Sequence, residues 1–253
     1  MIDGPPLVIV GMAVIVFLAG MSTGTTGLGF AQLSAVGLAF VVDAKSAVIL
    51  LAITVPPVST VQLLRHRSSM GEWRSRMAVL FACCLIGVPI GAFLLTVLPV
   101  RIIALLLGMF TLAFVVTRLR RPTFGIGPRH ERLIAPLVGV TAGIFNGTIG
   151  VSGPVLGSYL IAIGVSAATF AFTIQTLFLT MTLVRLGGLV ALGEINSPLL
   201  LTGGLLLVPA LTGQSAGFWL QGRVSERGFE RAVLVVMAIA GVGLLLRGIA
   251  PGA

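Results

Sequence analysis

Charge is what this chain has least of. Only 9% of its 253 residues are Asp, Glu, Lys or Arg, against 57% hydrophobic, and the mean hydropathy is +1.14. Soluble domains carry about 25% charged residues, so this chain cannot cover a water-facing surface. The bilayer is its solvent. A helical crossing takes roughly 20 apolar residues, which leaves room for about seven to nine crossing or inserting segments. A single-span receptor and a secreted module are excluded.

Further absences narrow the function. The seven carboxylates are Asp3, Asp43, Glu72, Glu131, Glu194, Glu226 and Glu230, and none falls near the centre of an apolar run. Cation carriers and proton pumps usually hold one there. No His, Asp or Glu stands in a span to activate Ser152 or another hydroxyl, so an intramembrane enzyme is disfavoured. The nucleotide motif G-x-x-x-x-G-K-[ST] is missing, which argues against ATP hydrolysis by this chain. No cofactor or metal is expected. Cys83 and Cys84 adjoin each other inside an apolar run, without metal-ligand spacing, and read as packing residues. The N-terminus lacks the positive region of a signal peptide, so the first apolar run is expected to stay in the mature protein.

The charge that is present is clustered. Of the 23 charged residues, 16 fall in segments 65–76, 118–132 and 223–231, between apolar runs, and the net charge is +9. No aromatic-interleaved basic stripe accompanies them, so nucleic acid is not an expected partner. Basic loops beside spans mark the cytoplasmic face and neighbour anionic lipid. His66 and His130 fall in these loops and read as solvated. Lys45, beside Asp43, reads as a satisfied pair at an interface.

The apolar runs cover 7–42, 44–64, 77–98, 102–116, 133–165, 166–192, 198–220 and 232–246. The first and fifth are long and broken by Gly, Ser and Thr. Offset by 123 residues, they match at Ala19 and Ala142, Gly20 and Gly143, Gly24 and Gly147, Thr25 and Thr148, Gly27 and Gly150, and Leu33 and Leu156. This is an internal repeat. Gly71-Glu72 answers Gly193-Glu194, and Gly87 and Gly91 answer Gly213 and Gly217. The loop at 65–76 is rich in Arg while its counterpart at 193–197 has none, so the repeats are expected to be inverted in the membrane.

Parity then requires 133–165 to return to the side it started from. Two crossings need about 60 Å of helix, and a run of this length supplies only about 50 Å. The expected fold is therefore an all-α polytopic membrane protein of two inverted repeats. Repeat 1–125 is a re-entrant glycine-broken hairpin (7–42) followed by spans 44–64, 77–98 and 102–116. Repeat 126–253 is a hairpin (133–165) followed by spans 166–192, 198–220 and 232–246. Each hairpin should be two half-helices meeting near the midplane.

Irregular backbone at membrane depth is tolerated only where protein or a water-filled cavity surrounds it. The helices that restart near Gly27 to Gln32 and Gly150 to Val155 present free amides and positive dipole ends, a cradle for a small anion. Pro154 suits a helix's first turn. The candidate substrate-binding residues are Ser22, Thr23, Gly24, Thr26, Gly27, Gly29 and Gln32 in the first half. In the second half they are Asn146, Gly147, Gly150, Ser152, Gly153, Gln175 and Arg185. Gln175 and Gln214 serve equally as helix-to-helix hydrogen bonds, and Arg185 has snorkelling to the interface as its alternative. Gly87, Gly91, Gly213 and Gly217 read as close helix packing.

At the glycine-rich breaks the chain resembles the sulfite exporter TauE/SafE family of membrane permeases. The resemblance rests on Ala19-Gly20 through Gly24, Thr25, Gly27, Leu28 and Gly29, and on Gly143 through Gly147, Ile149-Gly150-Val151 and Gly153-Pro154. The Gly87 and Gly213 helices extend it over nearly the whole chain. The first half departs from the family's double-glycine pattern, with Phe30 and Ala31 after Gly29. The resemblance implies transport of sulfite, sulfonates or other small organic anions across the bacterial cytoplasmic membrane, commonly as export. Residues and resemblance together point to a secondary anion transporter working by alternating access, with an anion channel of the same architecture as the alternative. The expected partners are a small anion and membrane lipid; a homodimer and a coupling ion stay open.

Overall fold

The computed structural model describes residues 6–27, 29–65, 77–120, 125, 128–223 and 226–249, and among them there are helices and connecting turns but no strand. The helices are α1 (Pro6–Thr26), α2 (Phe30–Val41), α3 (Ala44–Arg65), α4 (Ala78–Val97), α5 (Val100–Arg120), α6 (Pro128–Ile149), α7 (Gly153–Ala162), α8 (Ala167–Ala191), α9 (Ser197–Leu220) and α10 (Glu226–Ile249). Seven of them, α1, α3, α4, α5, α8, α9 and α10, are long and apolar enough to cross a membrane. The protein is an all-helical, polytopic membrane protein. Much of the basic segments 65–76, 118–132 and 223–231 lies outside the described residues.

Two ends of the molecule are distinguishable. Lys45, at the head of α3, pairs with Glu194, after α8, at 3.0 Å. Asp43 instead accepts from the amide of Ser46 at 2.9 Å, so the Asp43–Lys45 pair expected from sequence is replaced by a longer-range one. At the opposite end Arg65, Arg118 and Gln221 border a common cavity. We call these the Glu194 end and the arginine end.

The breaks fall at glycines in the left-handed region: Gly27 (φ 75°) and Gly29 (φ 104°) between α1 and α2, and Gly150 (φ 78°) between α6 and α7. Side chains other than glycine rarely adopt this conformation. The arms are unequal, with 21 residues in α1 against 12 in α2, and 22 in α6 against 10 in α7. Threonine explains the long arms. The hydroxyls of Thr25 and Thr26 donate to the carbonyls of Met21 (3.1 Å) and Ser22 (2.9 Å), and that of Thr148 to Ile144 (2.9 Å), so these polar residues stay helical.

The breaks therefore do not meet at one depth. Gln62, in the last turns of α3, donates to the Thr23 carbonyl at 2.6 Å, which sets the first break toward the arginine end. A methyl group added at Gly150 would touch Leu51 and Val48 in the early turns of α3, which sets the second toward the Glu194 end. On α8 the levels are marked by Gln175, bonded to the Gly27 carbonyl, and Arg185, bonded to that of Asn146. Ten residues of helix separate these two, about 15 Å at 1.5 Å per residue. The tips pass one another where two half-helices meeting at the midplane were expected.

Packing follows a crossed pattern. α1 lies against α9 and α6 against α4, while α3 pairs with α8 and α5 with α10. Glycine makes the first two contacts. A Cβ on Gly20 or Gly24 would run into the backbone of α9 at Ala210 or Gln214, and one on Gly213 or Gly217 into that of α1 at Phe17 or Met21. Gly143 and Gly147 meet Cys84 and Val88 in the same way, and Gly87 and Gly91 meet Val140 and Ile144. Cys83 and Cys84 are free thiols at the α4 to α6 contact. Helices at such distances gain dispersion along their whole length, which drives association in lipid.

Candidate functional site

The helices that follow the breaks begin without side-chain caps. α2 starts after Gly29 and α7 after Ser152, neither with a capping side-chain bond, and proline occupies the first turn of α7. Their opening amides keep the positive end of the helix dipole unneutralised.

A cavity of about 370 Å³ joins the two helix starts. Gly29, Ala31 and Gln32 line it from α2, and Val151, Ser152, Gly153 and Pro154 from the second break. The rest of the wall is Phe114, Thr117 and Arg118 on α5, Gly157, Ser158 and Ile161 on α7, and Phe170, Ile174 and Phe178 at one-turn spacing on α8. Ser152 is fully buried, and its Oγ has no partner among the described residues. Gln32 donates from Nε2 to Thr111 Oγ1 at 2.8 Å, and Thr111 donates on to the Leu107 carbonyl at 2.6 Å. That chain fixes the amide's orientation and leaves Gln32 Oε1 without a donor among the described residues.

A second cavity, about 330 Å³, lies at the arginine end and is lined by Gly24, Thr25, Thr26, Gly27, Gln62, Arg65, Arg118, Ala171, Phe218 and Gln221. Arg65 stacks over Phe218 at 4.2 Å. A small space of about 20 Å³ touches Ser22, Thr26 and Gly29. Arg118 borders all three. Sequence reading had put Arg118 in a loop; α5 runs on to Arg120 and brings it to the cavities.

Arg185 stands behind the second break. Its side chain is 0% exposed, so it does not snorkel to an interface. Nη1 donates to the Asn146 carbonyl at 2.7 Å, while Nε, Nη2 and Asn146 Oδ1 lack partners among the described residues. A buried guanidinium without a counter-charge is costly and marks a functional position.

Of the residues singled out from sequence, the main cavity gathers Gly29, Gln32, Ser152 and Gly153. Gly24, Thr26 and Gly27 border the second, and Ser22 the third. Thr23, Asn146, Gly150, Gln175 and Arg185 form the bracing around the breaks, and Gly24 and Gly147 also seat the helix crossings. Sequence reading missed Phe114, Arg118, Phe170 and Phe178. For the last two, a signal was present in the apolar i, i+4, i+8 stripe at 170, 174 and 178.

The family model described as Sulfite exporter TauE/SafE matches residues 12–244. The chain belongs to the TauE/SafE family. The match runs from α1 into α10 and so includes both breaks, the cavities and Arg185. Comparison with curated proteins and with solved structures gave no match. TauE/SafE proteins are membrane transporters, and in this member the transport-related cavities lie where both glycine breaks interrupt the helices.

Proposed function

We propose that this TauE/SafE protein is a secondary carrier that exports a small anion, such as sulfite or a sulfonate, across the bacterial cytoplasmic membrane. The halves 1–125 and 126–253 act as inverted repeats that alternate access to a site between α2 and α7, with the arginine end in the cytoplasm. Arg118 draws the anion in, the starts of α2 and α7 hold it, and Arg185 supplies positive potential behind the second break.

One observation carries this reading: the two repeats are not in the same state. Offset by 123 residues, the cavity-lining Gly157, Ser158, Ile161, Phe170, Ile174 and Phe178 correspond to Ser34, Ala35, Leu38, Ala47, Leu51 and Val55. The second set is packed, with no member more than 2% exposed. In the first set, α7 stands off α8 and leaves the cavity, while in the second α2 lies along α3. A carrier built from inverted repeats needs such an asymmetry, because exchanging the two states opens the opposite side.

The test is counterflow in proteoliposomes. Labelled sulfite should accumulate transiently when unlabelled anion is preloaded, with saturable initial rates. Linear conductance without counterflow would leave the channel in place of the carrier.

A further inference from the structure

The main cavity is too long and too apolar for a bare oxyanion. Phe170 and Phe178, which both line it, are eight residues apart on α8, about 12 Å of helix. Its polar groups sit at the extremes, with Ser152 and Gly153 at the deep end and Thr117 and Arg118 toward the arginine end. Between them the wall is Phe114, Phe170, Ile174 and Phe178. An inorganic anion held at either extreme would leave that wall against water, and apolar surface gains nothing from such a contact. Sites that combine a mostly apolar lining with a few convergent polar groups recognise organic molecules.

Building on the carrier reading above, we infer that the transported ligand is an organic anion whose apolar body lies along the Phe114, Phe170 and Phe178 wall, in preference to sulfite itself. The anionic head takes the end formed by Ser152 and the start of α7. The helix start is not the sole ground for this placement, since the buried Ser152 Oγ and Gln32 Oε1 both line the cavity and both lack partners among the described residues. Ser152 can donate to an anionic oxygen. Gln32 Oε1 accepts from a ligand hydroxyl, amine or bound water.

A homologous series tests this. The full chain in lipid nanodiscs is titrated calorimetrically with sulfite and with methane-, ethane-, propane- and butanesulfonate. A buried methylene contributes about 0.8 kcal/mol, so Kd should fall about fourfold at each step. The step should shrink toward one in Phe178→Ala, and in Phe114→Leu, a milder change should the first variant fold poorly. A flat series, or sulfite binding as tightly as butanesulfonate while proteoliposomes still take up sulfite, overturns the inference and leaves the carrier standing. Equal gains on protein-free nanodiscs, or a co-purified lipid that fills the cavity and blocks the sulfonates, also overturn it. If no anion binds and none is carried, the carrier reading itself falls.

Discussion

Gln62 and Arg185 make the same hydrogen bond at positions 123 residues apart: Gln62 Nε2 donates to the Thr23 carbonyl at 2.6 Å, and Arg185 Nη1 to the Asn146 carbonyl at 2.7 Å. Each carbonyl also accepts the amide of the left-handed glycine four residues on, from Gly27 at 2.8 Å and from Gly150 at 3.0 Å. An uncharged amide is therefore enough to brace a break. The charge on Arg185 exceeds what the brace requires.

Replacing Arg185 by Gln separates brace from charge. Arg185→Gln should fold and unfold at a higher temperature, because an unpaired buried charge costs more than about 1 kcal/mol. Anion uptake should fall at least about tenfold, a loss of roughly 1.4 kcal/mol in transition-state stabilisation. Thermal unfolding in detergent and initial uptake rates check both; unchanged uptake would leave Arg185 a brace only.

The two left-handed glycines should respond differently to alanine. At Gly27 nothing lies within 4 Å of an added Cβ, so Gly27→Ala should cost only the conformational strain, roughly 1–2 kcal/mol. At Gly150 the new atom would stand 2.7 Å from Arg185 Nη1. Gly150→Ala should add displacement of the guanidinium and lose most transport. Denaturation and uptake on the same preparations separate the effects, and equal behaviour of the two variants would contradict this geometry.

The crossed glycine contacts predict a third difference. Gly217→Val places its side chain against the Met21 carbonyl and Gly24, so the monodisperse peak in size-exclusion chromatography should be lost. Gly204→Val, on the same helix with nothing within 4 Å, should elute as wild type. Survival of the Gly217 variant would show that α1 and α9 can part without loss of fold.

Val55 and Phe178 occupy corresponding places in α3 and α8, and they should exchange accessibility during turnover. In the described state Val55 is 2% exposed and Phe178 lines the cavity. With cysteines at these positions in a background lacking Cys83 and Cys84, a transported anion should raise thiol reactivity at 55 and lower it at 178. Rates that rise together, or a thiol at 55 that stays inert throughout counterflow, would rule out exchange between the repeats.

Sidedness is checked at Asn196 and Gln221, both exposed. Cysteine at Asn196 should react with an impermeant reagent applied outside intact cells, and cysteine at Gln221 only after permeabilisation. Labelling of both from one side would end the inverted-repeat proposal.

Much of this was legible in the sequence for physical reasons. Only glycine accepts the φ values at 27, 29 and 150, so the breaks announce themselves, and apolar length placed every long helix within a few residues of its end. The depth of the breaks was not legible, because it depends on Thr25, Thr26 and Thr148 bonding back to their own helices. The partner of Lys45 is 149 residues away at Glu194, beyond any local pattern. The phenylalanines at 114, 170 and 178 escaped notice because hydropathy assigns the same value to a side chain facing a cavity as to one facing lipid.

The crossed pairing of α1 with α9 and α4 with α6 also governs biogenesis. The first membrane helix to leave the ribosome has its glycine face built for one of the last, so it must wait in the bilayer while most of the chain is synthesised. A nascent chain halted between the halves exposes two unmatched glycine faces, on α1 and on α4. Quality-control proteases should clear it, and neither half expressed alone should accumulate until the other is supplied.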